Sequence, residues 1–360
     1  MRIAFLDSWL QQVVDGSGTA AAIGGLSGAL TQLGHRVTRV APSRPWPANL
    51  TARRILFNLQ LPALLRTLPY DLIVGFDIDG FGYAGRSGGP PYICSIKGVI
   101  AEELQHERGA VRNLLWSMSR LEQINVRRAP RVLTTSDYCR QAIVRHYGAD
   151  PAKIALVPEG IDLARWQAAA HNSERAGRTV LCVARQYPRK HVDDLLRAFV
   201  TVRRRIPDAR LAIVGDGPEH ARLRRLAIEL GLGDVARFLG GLPDDQLLAW
   251  YARSDLFCLP SVQEGFGIVF LEAMAAGLPI VATSAAAIPE VVPHGLAGTL
   301  VPPASPLALA EALCELLERP ALRRSYAAYG RDYVRAFGWE RVAERFIQTT
   351  DPSAHISASR

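Results

Sequence analysis

Lysine is nearly missing from this 360-residue chain, since only three of its 42 basic residues are lysine and 39 are arginine. With 34 acidic residues the net charge is +8. Residues 1–175 hold 20 basic and 14 acidic residues, so most of the excess lies in the first half. This favours an anionic partner such as a phospholipid surface or a phosphorylated substrate, although an arginine-rich composition alone would also explain it. No basic run carries interleaved aromatic residues, so we expect no nucleic-acid partner.

Cysteine is also scarce, and the five cysteines are widely spaced with no C-x-x-C pair. This excludes a disulfide framework and structural zinc, and it indicates a reducing, cytoplasmic compartment. The first residues, MRIAFLDSWL, have neither a basic lead nor a cleavage site, so we expect no signal peptide. The longest apolar stretch, residues 265–289, is interrupted by Glu272 and Pro279, which argues against a membrane span. There is no G-x-S-x-G, H-E-x-x-H or Walker A sequence, and the eight histidines lack metal-ligand spacing.

Short apolar segments alternate with amphipathic ones along the chain, which predicts βαβ units and parallel sheets. The pattern stops at the polar segment 165–178 and then starts again, so we interpret that segment as a linker. The prediction is an α/β fold with two doubly wound domains, residues 1–168 and 169–337, then a last helix and a frayed tail in 338–360. Ligands of such sheets bind at the carboxyl ends of the strands, and two facing domains would place the site in the cleft between them.

The most informative segment is PSVQEGFGIVFLEAMAAGLPIVAT, in which a buried strand leads into a glycine-containing turn and then a helix. The turn, Gly265, Phe266 and Gly267, leaves backbone N–H groups at the helix start, where a phosphate is favoured. Glu264 precedes the helix. Glu272 lies inside it among apolar residues and needs hydrogen-bond donors, which sugar or ribose hydroxyls would supply. A buried acid paired with an arginine is the alternative for Glu272.

Two cations follow another predicted strand, Arg185 directly and Lys190 five residues later. Together they could hold a diphosphate and stabilise it as a leaving group, and the alternative is an ordinary solvated loop. Gly215 lies in a GDGP turn, which by itself is usually a strand–helix connector. In RFLGGL, the glycines after Leu239 leave main-chain groups to contact the edge of a base.

The first half offers polar groups at three predicted strand ends. Gly18 follows the first strand and could face a phosphate, although the spacing is not G-x-G-x-x-G. Asp77 and Asp79 follow one strand, and Lys97 and His106 follow the next. These are candidates for acceptor binding or acid–base chemistry. Asp79 could equally be a turn former, and His106 a solvated helix residue.

Taken in order, these segments resemble glycosyltransferase family 4, a retaining family with the GT-B fold of two facing Rossmann-like domains. The resemblance is strongest over residues 132–301, where LTTSDYCRQAIVRHYG, VPEGID, LAIVGDGPE, FLGGLPDDQLLAWYARSDLFCLPSVQEGFGIVFLEAMAAGLPIVAT, IPEVV and GTLV follow one another. Glu264 and Glu272 match the family's Glu-x7-Glu motif. The donor site would lie in the interdomain cleft, and the last helix would cross back to the first domain.

The resemblance implies a UDP- or GDP-linked sugar donor, retention of anomeric configuration and no metal or other cofactor. Arg185 and Lys190 would neutralise the diphosphate, with N–H donors from the glycine turn. Glu264 would lie near the donor sugar and Glu272 would hold the ribose, while the main chain around Leu239 would contact the base. Gly18 would approach the phosphates when the domains close.

The chain departs from the family pattern at a few positions. Lys97 stands where a histidine is common, and Glu159 stands where asparagine is usual. Ala184 replaces a glycine, and SAAAIPE replaces a glycine-rich turn before Glu290. A sugar-positioning role therefore does not carry over to Lys97 unchanged.

The leading hypothesis is a cytoplasmic transferase whose acceptor is a glycan, a lipid-linked glycan or a small molecule. A sugar-nucleotide epimerase or hydrolase, or a non-catalytic sugar-nucleotide-binding subunit, is the alternative. Peripheral contact with the inner membrane face is open, through the basic first domain. Segment 49–66, NLTARRILFNLQLPALLR, could lie on lipid, or its helix could pack its apolar face on the sheet.

Overall fold

The computed structural model describes residues 1–8, 18–42, 49–66, 69–171 and 177–350. The chain forms two compact units. The first runs from Met1 to Gly160 and includes the chain from Trp339 onward, and the second is Ile161–Gly338. The described residues of each unit form one six-stranded sheet in which all neighbouring strands are parallel. The predicted α/β class with doubly wound parallel sheets is confirmed.

The first unit alternates strands and helices and has strand order β2-β1-β3-β4-β5-β6. Its strands are β1 Arg2–Leu6, β2 Arg36–Val40, β3 Leu72–Phe76, β4 Tyr92–Ile96, β5 Arg131–Thr134 and β6 Ile154–Leu156. Its helices are α1 Gly18–Gln32, α2 Leu50–Leu64, α3 Ile100–Glu103, α4 Gly109–Arg128 and α5 Asp137–Tyr147. Strands β3 and β4 are buried along their whole length because helices cover both faces of a parallel sheet.

The second unit has strand order β12-β11-β10-β7-β8-β9, the doubly wound arrangement of nucleotide-binding sheets. Its strands are β7 Thr179–Val183, β8 Arg210–Val214, β9 Ala236–Phe238, β10 Leu256–Leu259, β11 Ile280–Thr283 and β12 Gly298–Val301. Its helices are α6 Leu163–His171, α7 Val192–Arg205, α8 His220–Glu229, α9 Asp244–Arg253, α10 Ile268–Ala275, α11 Ile288–Val291, α12 Pro306–Glu318 and α13 Pro320–Tyr333.

The predicted linker differs from the structure. The sequence predicts a linker over residues 165–178, whereas α6 occupies the first part of this segment and the second unit begins at Ile161. The Trp166 side chain is buried and meets the Tyr251 ring edge-on at 4.9 Å, and Arg165 pairs with Asp244 of α9 at 2.8 Å. Burial of this large aromatic side chain anchors α6 on the second unit.

The last helix, α14 Trp339–Thr350, belongs to the first unit and packs on α1. Phe346 is buried and meets the Phe5 ring edge-on at 6.3 Å. The Trp339 indole lies so close to Gly25 and Gly160 that a Cβ would come within 2.1 and 2.3 Å of it. Only glycine fits at these two positions. No helix in the described ranges is long and apolar enough to cross a membrane.

Candidate active site

The strand order of the second unit reverses between β7 and β10, which pair directly although two strands separate them in sequence. Helices that leave neighbouring strands in opposite directions open a crevice at such a point, beyond the carboxyl ends of the strands. The segments that follow β7 and β10 hold Arg185, Lys190, Glu264 and the glycine turn. The topology therefore brings these predicted residues to one edge of the sheet.

Lys190 and Glu264 form an ion pair at this edge. The Nζ atom of Lys190 lies 2.6 Å from Oε1 of Glu264, and the Ser261 hydroxyl donates to the same oxygen at 2.7 Å. The two charged side chains are only 12% and 10% exposed. The N–H of Val262 donates to the Arg189 carbonyl at 2.9 Å, which ties the two loops together. Lys190 and Ser261 thus both contact the same oxygen of Glu264.

Two arginines lie on the same loop as Lys190. Arg185 lies with its guanidinium 5.9 Å from the centre of the Tyr187 ring, and Arg189 lies 4.9 Å from it. The face of an aromatic ring attracts a cation, so the Tyr187 ring favours these positions of the two guanidinium groups. Together with Lys190 they concentrate positive charge after β7, where a phosphate would be stabilised.

The glycine turn is built as the sequence predicts. Gly267 has φ +90°, and a Cβ there would meet the Phe270 ring at 2.6 Å. No side chain caps the start of α10, and the Phe270 N–H donates to the Gly267 carbonyl at 3.0 Å. Phe266 is buried and packs against the Phe337 ring at 6.0 Å, while Gly265 stays partly exposed. The positive end of the α10 dipole thus lies shortly after Glu264 in the chain.

Glu272, one turn further along α10, has a partner that the sequence analysis missed. The Tyr251 hydroxyl donates to Oε2 of Glu272 at 2.7 Å, and the Tyr251 ring stacks on Phe257 at 5.8 Å. Burial raises the pKa of Glu272 to about 7, although the Tyr251 hydrogen bond opposes the shift. Nothing in the sequence links Tyr251 to Glu272, because 21 residues and a strand separate them.

The GDGP turn packs closely against the loop that follows β7. Gly215 has φ +111°, and a Cβ there would lie 2.1 Å from the Ala184 carbonyl. The buried Gln186 side chain donates to the Gly215 carbonyl at 2.8 Å, another contact with no sequence signal. The Leu239 N–H donates to the Ile213 carbonyl at 2.9 Å. A base contact near Leu239 would therefore use other main-chain groups of RFLGGL.

Three side chains of the metal-binding type also meet beside Lys190. His191, Asp193 and Asp194 place ligand atoms within 4.8 Å of one another. His191 pairs with Asp194 at 2.9 Å, and Asp193 pairs with Arg222 at 3.4 Å. These groups are engaged in ion pairs, so we assign no ion to them.

In the first unit the strand order reverses between β1 and β3. Asp79 is fully buried there, and its carboxylate accepts hydrogen bonds from the Ser8 N–H at 2.8 Å and from the Asn58 amide at 2.9 Å. The Ser8 hydroxyl donates to it as well, at 2.6 Å, and Arg54 donates to that hydroxyl at 2.9 Å. Burial raises the pKa of Asp79. Asp79 thus fastens the end of β3 to the end of β1.

Asp77 and Lys97 are also neighbours. Asp77 has φ +55°, and its carboxylate accepts the Lys97 N–H at 2.9 Å. Burial raises the pKa of Asp77 to about 7. Nζ of Lys97 lies 3.1 and 3.2 Å from the two carboxylate oxygens of Glu159, and both side chains are 8% exposed. Two separate departures from the family pattern therefore prove to be one ion pair.

The remaining predicted residues of the first unit lie elsewhere on it. His106 is partly exposed in the 3-10 turn Leu104–His106, and no described contact brings it to Asp77 or Lys97. Gly18 is the exposed first residue of α1. The preceding Gly16 lies outside the described residues.

Comparison with known proteins agrees with this architecture. The family model described as Glycosyltransferase Family 4 matches residues 16–165, and that of glycosyl transferases group 1 matches residues 166–333. A GDP-mannose-dependent alpha-(1-6)-phosphatidylinositol monomannoside mannosyltransferase of Mycobacterium tuberculosis is 34% identical over 267 residues, 69% of this chain and 68% of that protein. A D-inositol 3-phosphate glycosyltransferase of Kribbella flavida is 35% identical over 239 residues, 62% of this chain and 56% of that protein.

Solved structures show the same fold. Sucrose-phosphate synthase from Thermosynechococcus elongatus superposes with a TM-score of 0.81 at 24% identity, covering 100% of both chains. The lipopolysaccharide glycosyltransferase WaaG superposes with a TM-score of 0.72 at 19% identity, covering 97% of this chain and 100% of that one. With its two Rossmann-like units of the GT-B fold and its match to both family models, the chain belongs to glycosyltransferase family 4, and it is a glycosyltransferase.

Proposed function

We propose that the enzyme transfers a sugar, with retention of anomeric configuration, from a UDP- or GDP-linked donor to a hydroxyl group. The acceptor belongs to lipid-linked glycan, polysaccharide or glycolipid synthesis in the cytoplasm. The observation that carries the proposal is the Lys190–Glu264 pair at the reversal of strand order in the second unit. A relative that is named for GDP-mannose makes GDP-linked sugars the first donors to test.

In the proposed donor complex, the Lys190 ammonium pairs with the diphosphate instead of with Glu264. Arg185 also contacts the diphosphate. Backbone N–H groups of residues 265–267 add further donors to the phosphate oxygens. Cations and a helix dipole then carry the negative charge, so the reaction needs no metal ion or other cofactor. Glu264 accepts a hydrogen bond from the donor sugar, and Glu272 accepts hydrogen bonds from the ribose hydroxyls.

The proposed reaction follows from this charge distribution. The bond from the anomeric carbon to the phosphate oxygen breaks as the acceptor oxygen forms a new bond on the same face. The departing phosphate oxygen takes the acceptor proton, giving a glycoside and a nucleoside diphosphate. Preorganised positive charge stabilises the leaving group as its charge develops.

Residues of the first unit complete the proposal. Asp77 and Lys97 are the acceptor-side candidates that lie close to one another, and Lys97 is oriented by Glu159. His106 stays a separate candidate. Gly18 would approach the phosphates. Asp79 is assigned a positioning role because its carboxylate is used by Ser8 and Asn58.

Thermal unfolding with UDP, GDP and ADP, each with and without EDTA, tests the donor class. A nucleotide at about 100 times its Kd adds roughly 2.7 kcal/mol to the free energy of unfolding. For a chain of this size we expect one nucleotide to raise Tm by several degrees, undiminished by EDTA. A shift that EDTA abolishes would refute the metal-free site, and no shift with any nucleotide would refute the proposed donor site.

Product analysis tests the reaction itself. The nucleotide that shifts Tm defines a set of donor sugars, which are supplied with lipid-linked and soluble acceptors. We expect a glycoside with the donor's anomeric configuration by NMR. An inverted product would contradict retention, and free sugar or an epimerised donor as the sole product would favour the hydrolase or epimerase alternative.

A further inference from the structure

Two alanines of the second unit adopt a backbone conformation that favours glycine. Ala286 has φ +52° and Ala304 has φ +54°. In this left-handed region the Cβ atom of an L residue lies too close to the backbone, so a side chain costs free energy that glycine does not. Strained backbone of this kind is concentrated at functional sites. The methyl group of each alanine is thus carried at a cost in stability.

The other two non-glycine residues with positive φ in the described ranges have side-chain contacts that offset this cost. The Asp77 carboxylate accepts the Lys97 N–H at 2.9 Å, and the His191 ring pairs with Asp194 at 2.9 Å. A methyl group makes no hydrogen bond, so neither alanine has a compensating contact of this type. The surroundings of each methyl group therefore decide what it does.

Ala286 lies beside the proposed position of the donor sugar. It belongs to the segment between β11 and α11, at the carboxyl edge of the sheet, and β11 pairs with β10. The Ala287 N–H donates to the Glu264 carbonyl at 3.3 Å, and the Thr283 hydroxyl donates to the Ser261 carbonyl. These two contacts, one on each side of Ala286, hold the segment against the loop that carries Glu264.

The part of this segment that a ligand can reach carries methyl groups. Ala285 and Ala286 are partly exposed, whereas Ala287 and Ile288 are buried. A glycine at position 286 would leave bare main chain that a ligand could approach closely, and the methyl group removes that space. The methyl group also offers no hydrogen bond to a polar substituent of a sugar. Ala286 thus restricts size without adding a polar contact.

We propose that Ala286 is a specificity-determining residue that limits the size of the donor sugar. A hexose with free hydroxyl groups packs against the methyl group, whereas the larger acetamido group of an N-acetylhexosamine is excluded. One methylene-sized group in a pocket changes discrimination by roughly 10–200-fold, so a single methyl group is large enough for this effect. The inference rests on the proposed function, because it requires the donor sugar to bind beside Glu264.

Calorimetric titration of the whole chain tests the proposal without requiring turnover. The ligands are the nucleotide that raises Tm and two of its sugar conjugates. For UDP these are UDP-glucose and UDP-N-acetylglucosamine, and for GDP they are GDP-mannose and its 2-acetamido analogue. We expect wild type to bind the hexose conjugate about tenfold more tightly than the acetamido conjugate. Ala286→Gly should reduce this ratio by about tenfold, because the methyl group is removed.

Ala286→Asn tests the opposite change. Asparagine tolerates the left-handed region and has a larger side chain, so it should weaken binding of the hexose conjugate by about tenfold. Affinity for the free nucleotide should stay within about twofold of wild type in both variants, since the change affects only the sugar end of the ligand.

Ala304→Gly is the matched control, because Ala304 has the same backbone conformation and is exposed in the loop between β12 and α12. It relieves the same strain and should leave the ratio of the two conjugate affinities unchanged. Equal changes of the ratio in Ala286→Gly and Ala304→Gly would overturn the proposal, because strain rather than the methyl group would then set selectivity. Circular dichroism and Tm of each variant confirm folding.

The outcomes separate this proposal from the proposed function. An unchanged ratio in Ala286→Gly, or wild type that binds both conjugates equally, would overturn the size limit and leave the donor site in place. Wild type that binds no nucleotide sugar would contradict the proposed function and this inference together.

Discussion

Each of the two sheets reverses its strand order at one place, and the polar side chains at the two places make different kinds of contact. In the first unit, Ser8 and Asn58 donate hydrogen bonds to both carboxylate oxygens of Asp79, and these three residues are buried. In the second unit, Lys190 and Ser261 share one oxygen of Glu264. The side chains of this pair retain some exposure. The same topology therefore joins two strand ends through a buried hydrogen-bond network in the first unit, and in the second unit it holds the ion pair that we propose as part of the donor site.

Removing the Lys190 ammonium of the second unit should have the largest effect on activity. Lys190→Ala is expected to lower kcat by about 10²–10³, because one preorganised electrostatic contact to the leaving group is lost. Arg224→Ala is the control, since Arg224 is exposed on α8 of the same unit. Steady-state kinetics measures the effect, with Tm to confirm folding. Turnover in Lys190→Ala equal to that of Arg224→Ala would contradict the role of Lys190.

Breaking the hydrogen-bond network around Asp79 in the first unit should instead lower the free energy of unfolding. Asp79→Ala leaves the Ser8 N–H, the Ser8 hydroxyl and the Asn58 amide without their acceptor, at a cost of about 4 kcal/mol in the free energy of unfolding. Urea denaturation measures it. The Tm rise on adding the cognate nucleotide should persist in this variant, because the proposed donor site belongs to the second unit. Loss of that rise would place donor binding at the first reversal as well.

The Lys97–Glu159 pair tests whether a buried ion pair in the first unit is structural only. Lys97→Met leaves Glu159 buried without its cation and should cost about 3 kcal/mol, whereas Lys97→Met/Glu159→Met should recover all but about 1 kcal/mol. Urea denaturation of the single and double variants gives the coupling. If the double variant is stable but turns over acceptor with a raised KM, Lys97 also contacts the acceptor. An unchanged KM would limit the pair to stability.

Much of this arrangement could be predicted from sequence because it is local. The strand–turn–helix that holds Glu264 and Gly267 is continuous, so spacing alone indicates its shape. Side-chain contacts between segments that are far apart in the chain could not be predicted from the sequence. Lys97 and Glu159 stood out separately as unusual residues, and only the adjacency of the strand ends unites them. The third lysine, Lys153, caps the end of α4 by donating to the carbonyls of Val126, Arg127 and Ala129, so all three lysines have specific partners.

The sequence analysis failed where one large side chain outweighed local composition. The polar segment around Trp166 was interpreted as a linker, because helix propensity and polarity are averages over many residues. In the structure the indole of Trp166 is buried and α6 packs on the second unit. The partner of Glu272 was missed for a related reason, since the hydroxyl of Tyr251 reaches it from another helix. Such contacts depend on how helices pack on the sheet, which the sequence does not specify one residue at a time.

The smallest predicted effect is a pH dependence that separates Glu272 from Glu264. Burial raises the pKa of Glu272 from 4.5 to about 7. The folded protein therefore keeps this proton where the unfolded chain has lost it, and this group lowers stability as pH rises from about 4.5 to 7, with no further change above. Ribose hydroxyls donate hydrogen bonds, so they favour the ionised carboxylate.

Nucleotide affinity should accordingly rise as Glu272 loses its proton, by up to roughly tenfold between about pH 6 and pH 8. The phosphate of the nucleotide also titrates in this range, so a single pH profile cannot assign the effect. Glu272→Gln removes the titrating carboxyl while leaving the phosphate unchanged, and calorimetric titration of both proteins isolates the difference. Parallel profiles for wild type and Glu272→Gln would remove Glu272 from the ribose site. Divergence that closes above about pH 8 would tie ribose binding to this one carboxylate.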